Sequence, residues 1–313
     1  MIKRAFDSTA VKSIFNLTNL LFITVLWAAF MESNFKLQPP WAYVVILILF
    51  EAIFNFKIIK KSKPLKNLLD LYSIIFAFFL LWDLGSKQFH VLHYTLLPPP
   101  QNVFYIFTQD YSVMINGFFQ SMCLILVGVV SGMLLGIITG LFVGWYPRLR
   151  EAVTPVINVI ASIPALVYAP YLVVVMPTFK IASVTIIFMG IYPPTTMNMI
   201  SNVQGVDKKL IDTARSLNLN NRGILLKALL PACAIPLLGS LRIRIATAFM
   251  ILIMAETIGA TAGLGYYVKR WAAWADYPKV FAGVILIGVV VVGINGLIHL
   301  FETKAIKWIE PHQ

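Results

Sequence analysis

Eight apolar runs dominate the chain, at roughly 14–31, 41–58, 68–84, 115–144, 153–176, 181–200, 236–258 and 280–300. Each approaches or exceeds the ~20 residues with which an α-helix crosses a bilayer. Lipid offers no hydrogen-bond partners, so such a run must satisfy its own backbone, which a helix does. Composition agrees: of 313 residues, 59% are hydrophobic and 12% charged, and mean hydropathy is +0.82. A soluble domain carries about a quarter charged residues, and one aqueous core cannot hide this much apolar surface. The sequence therefore predicts an all-α polytopic membrane protein of about eight spans. The run at 115–144 exceeds one span and is expected to begin in an interfacial turn, while 14–31 sits at the lower limit. No removable signal peptide is expected, because Glu32 and Asn34 follow the first run in place of a small-residue cleavage site.

The net charge is +12 and the pI about 9.7. In a soluble chain this would suggest nucleic acid; here it marks cytoplasmic loops, and no nucleic-acid partner is expected. With a cytoplasmic N-terminus, the inside segments carry Lys3, Arg4, Lys12, Lys57, Lys60, Lys61, Lys63, Lys66, Arg148, Arg150, Lys208, Lys209, Arg215, Arg222, Lys227, Lys304 and Lys307. The outside segments carry only Lys36, Lys87, Lys180, Lys269, Arg270 and Lys279. This bias places both termini and residues 205–231 in the cytoplasm.

The fourth run carries Gly128, Gly132, Gly136, Gly140 and Gly144, one every four residues. On a helix these form a shallow groove that another backbone can approach, within the subunit or between subunits. The fifth run contains Pro155, Pro164 and Pro170 and ends at Pro177, and the sixth contains Pro193 and Pro194. Proline removes a donor and kinks a helix, so both runs are candidates to line a path or to be bent for packing.

Residues 205–231 interrupt the apolar pattern with a polar segment. Asp207 is a candidate N-cap for a short helix reaching about Leu217, with Ile211, Ala214 and Leu217 on one side. Asn218 follows, and asparagine tolerates the left-handed conformation that ends a helix. Asn220 or Asn221 can cap a second helix over 222–230, striped by Ile224, Leu225, Ala228 and Leu229. Pro231 and Pro236 are expected to punctuate the return to the membrane. The unit reads as two short helices forming a cytoplasmic knob.

At these positions the sequence resembles the permease subunits of binding-protein-dependent ABC importers. Their loop carries Glu-Ala-Ala, three residues, Gly, then about nine residues to Ile-x-Leu-Pro. Here the positions read Asp212-Thr213-Ala214, Asn218 and Ala228-Leu229-Leu230-Pro231. Leu96-Leu97-Pro98-Pro99-Pro100 resembles the segment preceding the core in the nitrate, sulfonate, taurine and bicarbonate branch. Ser162-Ile163-Pro164-Ala165-Leu166 and the stretch from Ala255-Glu256 through Gly263-Leu264-Gly265-Tyr266 resemble further motifs of that branch, in order along residues 95–310. The resemblance implies a type I importer fold, with residues 1–94 as an accessory addition. It also implies that Asp207, Ile211, Asp212, Thr213, Ala214, Leu217, Asn218, Leu230 and Pro231 couple to a separate ATPase. ATP and magnesium would belong to that ATPase, and this chain holds no cofactor. The other implied partners are a second permease copy or paralogue, an extracytoplasmic substrate-binding protein and membrane lipid.

Several residues remain to be weighed. Arg242 and Arg244 lie near the cytoplasmic end of the seventh run, at a spacing that points them to different faces. They read either as a positive site for an anionic substrate or as anchors that snorkel or pair with an acid. Glu256, near the outer end, reads as a structural ion pair or part of an outer gate. With Pro164 and Pro193, these make up the candidate path or gate. Glu51 could serve a proton relay, and Asp83, at a span end, is expected to be wet. His90 and His93 have a helical chelating spacing but no neighbouring Cys and few acids, so no metal is expected. Trp271, Trp274, Tyr266, Tyr267 and Tyr277 read as an interfacial aromatic belt or a docking face for the binding protein. Cys123 and Cys233 lack metal-ligand spacing and are expected as ordinary buried thiols. No Gly-x-x-x-x-Gly-Lys-Ser/Thr phosphate loop occurs, nor any catalytic constellation.

The favoured expectation is an importer permease for a small anion: nitrate, bicarbonate, taurine or another sulfonate. The alternatives are an importer for a neutral vitamin precursor, an ion-gradient-driven secondary transporter and, last, a membrane-embedded enzyme.

Overall fold

The computed structural model describes residues 17–33, 36–59, 65–89, 93 and 95–309, and every regular element among them is helical. Lys3, Arg4, Lys12, Lys60, Lys61, Lys63 and His90, invoked above, lie outside the described residues.

The chain divides into two compact units, residues 1–113 with 270–282 and residues 114–269 with 283–313. In the first unit, α1 (Leu17–Ala29), α2 (Trp41–Ile59) and α3 (Leu65–Lys87) are followed by the short α4 (Pro100–Gln109). Thr18 joins Ser73 across 2.8 Å, fastening α1 to α3. Aromatic rings fill the interior, with Tyr43 stacked on Phe104 at 5.6 Å and Trp82 6.0 Å from Phe281. Asp83, expected to be wet, is fully buried and pairs with Lys87 at 3.0 Å. Lys87, counted above as an outside loop charge, is 3% exposed and donates to the carbonyls of Ala28 and Ala29. Its ammonium thus satisfies the last carbonyls of α1, where a cation is favoured.

In the second unit, α5 (Tyr111–Trp145) is one unbroken helix of 35 residues, so no turn opens the fourth run. Its glycines face α8 (Phe179–Gln204). A Cβ at Gly128, Gly136 or Gly140 would lie 2.7, 2.7 or 2.5 Å from Ile187, Thr195 or Met199, and Gly132 and Gly144 face Ile191 and Val203. A four-residue repeat on one helix thus meets a four-residue repeat on the other, ridge into groove. The glycine groove is filled within this subunit.

Between them, the expected fifth span is broken into α6 (Pro147–Ser162) and α7 (Ala165–Val175), bent by 88°. Proline disfavours the helical region for the residue before it. Ile163 accordingly takes φ −81°, ψ 116°, and the helix ends. Pro193 and Pro194 do not break α8. Thr195 and Thr196 instead donate to the carbonyls of Ile191 and Tyr192. Cys123 is exposed on the apolar surface of α5, contrary to its expected burial, while Cys233 is buried. The unit continues through α9 (Lys208–Ser216), α10 (Asn221–Gly223), a π-helical turn (Ile224–Leu229) and α11 (Leu230–Gly239). It closes with α12 (Leu241–Gly259), α13 (Leu264–Ala273) and α14 (Tyr277–Ile309), the last two helices crossing the unit boundary.

Candidate functional site

The polar segment forms a compact elbow. Asp207 accepts from the backbone N–H of Lys209 at 2.9 Å and caps α9. Asn218 has φ 57°, and the helix closes with Asn218 N–H on Arg215 O and Leu219 N–H on Ala214 O. These two bonds are the Schellman pattern, with asparagine where glycine is usual. The motif folds Leu219 back beside buried Ala214 in a cluster with Leu141, Met199, Val203, Ile224, Leu225 and Leu229. Ile211 is half-buried against the same cluster. Leu217 departs from the expected stripe: it follows the last helical turn, and at 71% exposure it points away from the core. Leu210 is also exposed, as are Asp207, Asp212, Thr213 and Asn218.

The second half of the elbow differs from the expected separate helix. Asn220 caps α10 through Gly223 N–H at 2.8 Å. The chain then widens into the π turn and runs without interruption into α11, which contains Pro236 in its interior. Leu230 is half-buried and Pro231 exposed, within the first turn of α11. In an α-helix the ring of Pro231 would clash with the carbonyl four residues back. A wider turn just before it relieves that clash, so the proline sets the π turn rather than ending the helix.

Glu256 lies in a different environment. It is fully buried on α12, and no basic residue pairs with it among the described residues, so the favoured ion pair is replaced by hydrogen bonds. Ser121 donates to Oε1 at 2.5 Å and Gly265 N–H donates to Oε2 at 2.6 Å. Ser121 in turn accepts from Leu264 N–H at 3.0 Å. The carboxylate thus caps α13, where an anion is favoured at a helix N-terminus. Gly263, at φ 133°, must be glycine, since a Cβ there would overlap the Glu256 carboxyl. The Ala-Glu and Gly-Leu-Gly-Tyr ends of the motif are two sides of one closed turn, at which α13 bends from α12 by 46°.

The arginines separate as their spacing predicts. Arg242 is exposed and meets His299 Nδ1 at 3.2 Å. Arg244 is 5% exposed and donates to Ser240 and Thr195. Its guanidinium turns inward, to Thr195 in the interior of α8. Pro164 is exposed at the α6–α7 break and Pro193 is buried in α8. Arg244 and Glu256 stand twelve residues apart on α12, about 18 Å at the helical rise, so the candidate path residues do not converge on one place.

In the first unit, Glu51 accepts from Asn55 at 2.9 Å. His93 bonds Thr95 at 2.7 Å, and no group of three metal-ligating side chains occurs among the described residues. Of the aromatic set, Tyr267 is buried, unlike a belt residue, whereas Trp274 is 77% exposed. Lys279 stands 3.5 Å over the Trp271 ring and pairs with Asp110 at 3.4 Å. Sequence reasoning missed Ser121, Thr195 and Ser240. Small hydroxyls in apolar helices usually bond their own preceding turn, so nothing in their local sequence announces a distant partner.

Long apolar helices, a broken pair and a short polar elbow on the surface define a polytopic helical membrane component. Residues 132–307 match the family model of binding-protein-dependent transport system inner membrane components, and the chain belongs to that family. It is 28% identical to a putative aliphatic sulfonates transport permease of Bacillus subtilis, over 58% of this chain and 66% of that protein. It is also 28% identical to the taurine transport system permease of Escherichia coli, over 54% of this chain and 62% of that protein. The chain thus spans just under two thirds of the length of these relatives. An inward-facing methionine ABC transporter chain shares the fold, with TM-score 0.57 at 17% identity, over 65% of this chain and 99% of that one.

Proposed function

We propose that this chain forms one half of the translocation path of an ATP-driven importer and takes its energy through residues 205–231. The observation that supports this is the capped helix α9, in the segment whose sequence resembles the family loop, with Leu210 and Leu217 exposed. A helix fastened beneath by Ala214 and Leu219, with Leu210 and Leu217 exposed among polar side chains above, is suited to transmit force from a soluble partner. In this proposal the partner is a separate ATPase that binds ATP and magnesium, and α9 docks on it from the cytoplasmic side. A second permease copy or paralogue completes the path, and an extracytoplasmic binding protein delivers the solute. Both termini are cytoplasmic in a bacterial inner membrane, and residues 1–94 are an accessory addition to the core at 95–310. The substrate is a small anion, with sulfonates favoured by the names of the relatives.

Co-purification tests this. Leu217→Asp with Leu210→Asp is expected to abolish recovery of the ATPase with the permease while leaving the permease in the membrane. Undiminished recovery of the ATPase sinks the coupling proposal, and uptake that continues without ATPase but stops when the proton gradient is collapsed favours a secondary transporter.

A further inference from the structure

Arg244 is a cation inside the helical bundle with no carboxylate partner among the described residues. Its Nε–H donates to Ser240 Oγ at 3.2 Å, Nη1 donates to Thr195 Oγ1, and Nη2 has no partner. Thr195 lies nine residues before the end of α8, about 14 Å at the helical rise. The guanidinium is thus held beside the interior of α8 and not at its end. A buried cation without a carboxylate partner is costly and usually functional.

The position of its partner suggests what it does. Helix α8 leads directly into the elbow at 205–231, and α12 is the long helix that follows that elbow. The Arg244–Thr195 bond therefore ties the helix that enters the elbow to the helix beyond it. It attaches to α8 immediately after Pro193 and Pro194, where two backbone donors are missing and the helix is most compliant. Thr195 itself is held from the other side by its contact with Gly136.

We propose that Arg244 is a positioning residue: its bond to Thr195 makes α8 and α12 move together when the elbow is displaced. Apolar packing also joins the two helices; the bond fixes their relative position beside the prolines, and without it less of the displacement of α8 reaches α12. This role presupposes coupling through 205–231.

The test uses the complete transporter in proteoliposomes, in a Cys123→Ala background, with an environment-sensitive dye at Leu226→Cys in the elbow or at Met250→Cys on α12. Both positions are exposed. ATP with vanadate is expected to change both signals in the parent. In Arg244→Met and in Thr195→Val the elbow signal should persist while the α12 signal falls about tenfold. The double variant should be no worse than the poorer single, as for two residues acting through one bond. Arg244→Lys, which keeps the charge, should recover part of the α12 response. An unchanged α12 signal in Thr195→Val overturns the proposal, as does a double variant whose loss multiplies the two singles. If Arg244→Met does not assemble, Thr195→Val decides alone, because it replaces one oxygen by carbon at nearly constant volume. Failure of the elbow signal in the parent would instead overturn the coupling proposal on which this one rests.

Discussion

The elbow at 205–231 and the closed turn at 256–265 are two turns of the second unit, on either side of the α11–α12 course, and they are held in opposite ways. The closed turn is locked from within by a buried carboxylate that three groups of two other segments engage: Ser121, Leu264 N–H through that serine, and Gly265 N–H. The elbow is held by short polar caps at its surface, Asp207 and Asn220, and by an asparagine in a left-handed turn. Loss of a buried cap leaves donors stranded in apolar surroundings, whereas water replaces an exposed one. The closed turn therefore cannot change without cost, while the elbow's surface is free to be shaped by whatever docks there.

Glu256→Ala should break this comparison most severely on the side of the closed turn. It strands Ser121 and Gly265 N–H, at about 1–3 kcal/mol for each buried unsatisfied group. The expected outcome is a large fall in the melting temperature of the detergent-solubilised protein. Glu256→Gln should be milder, because one amide oxygen still accepts. A melting temperature in Glu256→Ala equal to the parent would mean the lock carries no load.

Gly263→Ala comes next. The added methyl enters a backbone region that L residues seldom adopt and overlaps the Glu256 carboxyl, at a cost of about 1–3 kcal/mol. Thermal unfolding measures it, and the double variant with Glu256→Ala separates strain from overlap. If the carboxyl is the obstacle, the alanine at 263 costs less once Glu256 is gone.

Much of this contrast was legible in the sequence, and the misses are instructive. Asp207, Asn218 and the Asn220 cap were readable because a cap acts on backbone two or three residues away. The glycine repeat was readable as a groove, although its partner helix was not, since the matching repeat of Ile187, Ile191, Thr195, Met199 and Val203 looks like any apolar run. Leu217 was placed on the wrong side because the periodicity was extended one residue past the helix end. Asp83, Lys87 and Glu256 were misjudged for one shared reason. The partners of Glu256 are 9 and 135 residues distant, and Asp83 is buried with Lys87, whose other partners are carbonyls of another helix; a charge near a span end looks alike in sequence whether it meets water or a buried donor.

On the elbow, Asp207→Ala should be weaker than either change at the closed turn, costing about 1 kcal/mol through the lost cap. Hydrogen exchange at Lys209 should speed up while the closed-turn amides of Leu264 and Gly265 keep their protection. Equal acceleration at both places would mean that the two turns unfold as one unit, and the contrast between them would fail.

Asn218→Gly should have the smallest effect. At φ 57° an asparagine is tolerated but glycine is preferred, while glycine gains entropy in the unfolded chain. The two terms oppose each other, so stability should change by less than about 1 kcal/mol. Because Asn218 is exposed, any larger change in ATPase recovery would come from the docked partner and not from the fold. Comparing the melting temperature of the permease alone with ATPase recovery separates the two. An unchanged melting temperature with altered recovery would place Asn218 in the docking surface, and no change in either would leave it as a cap alone.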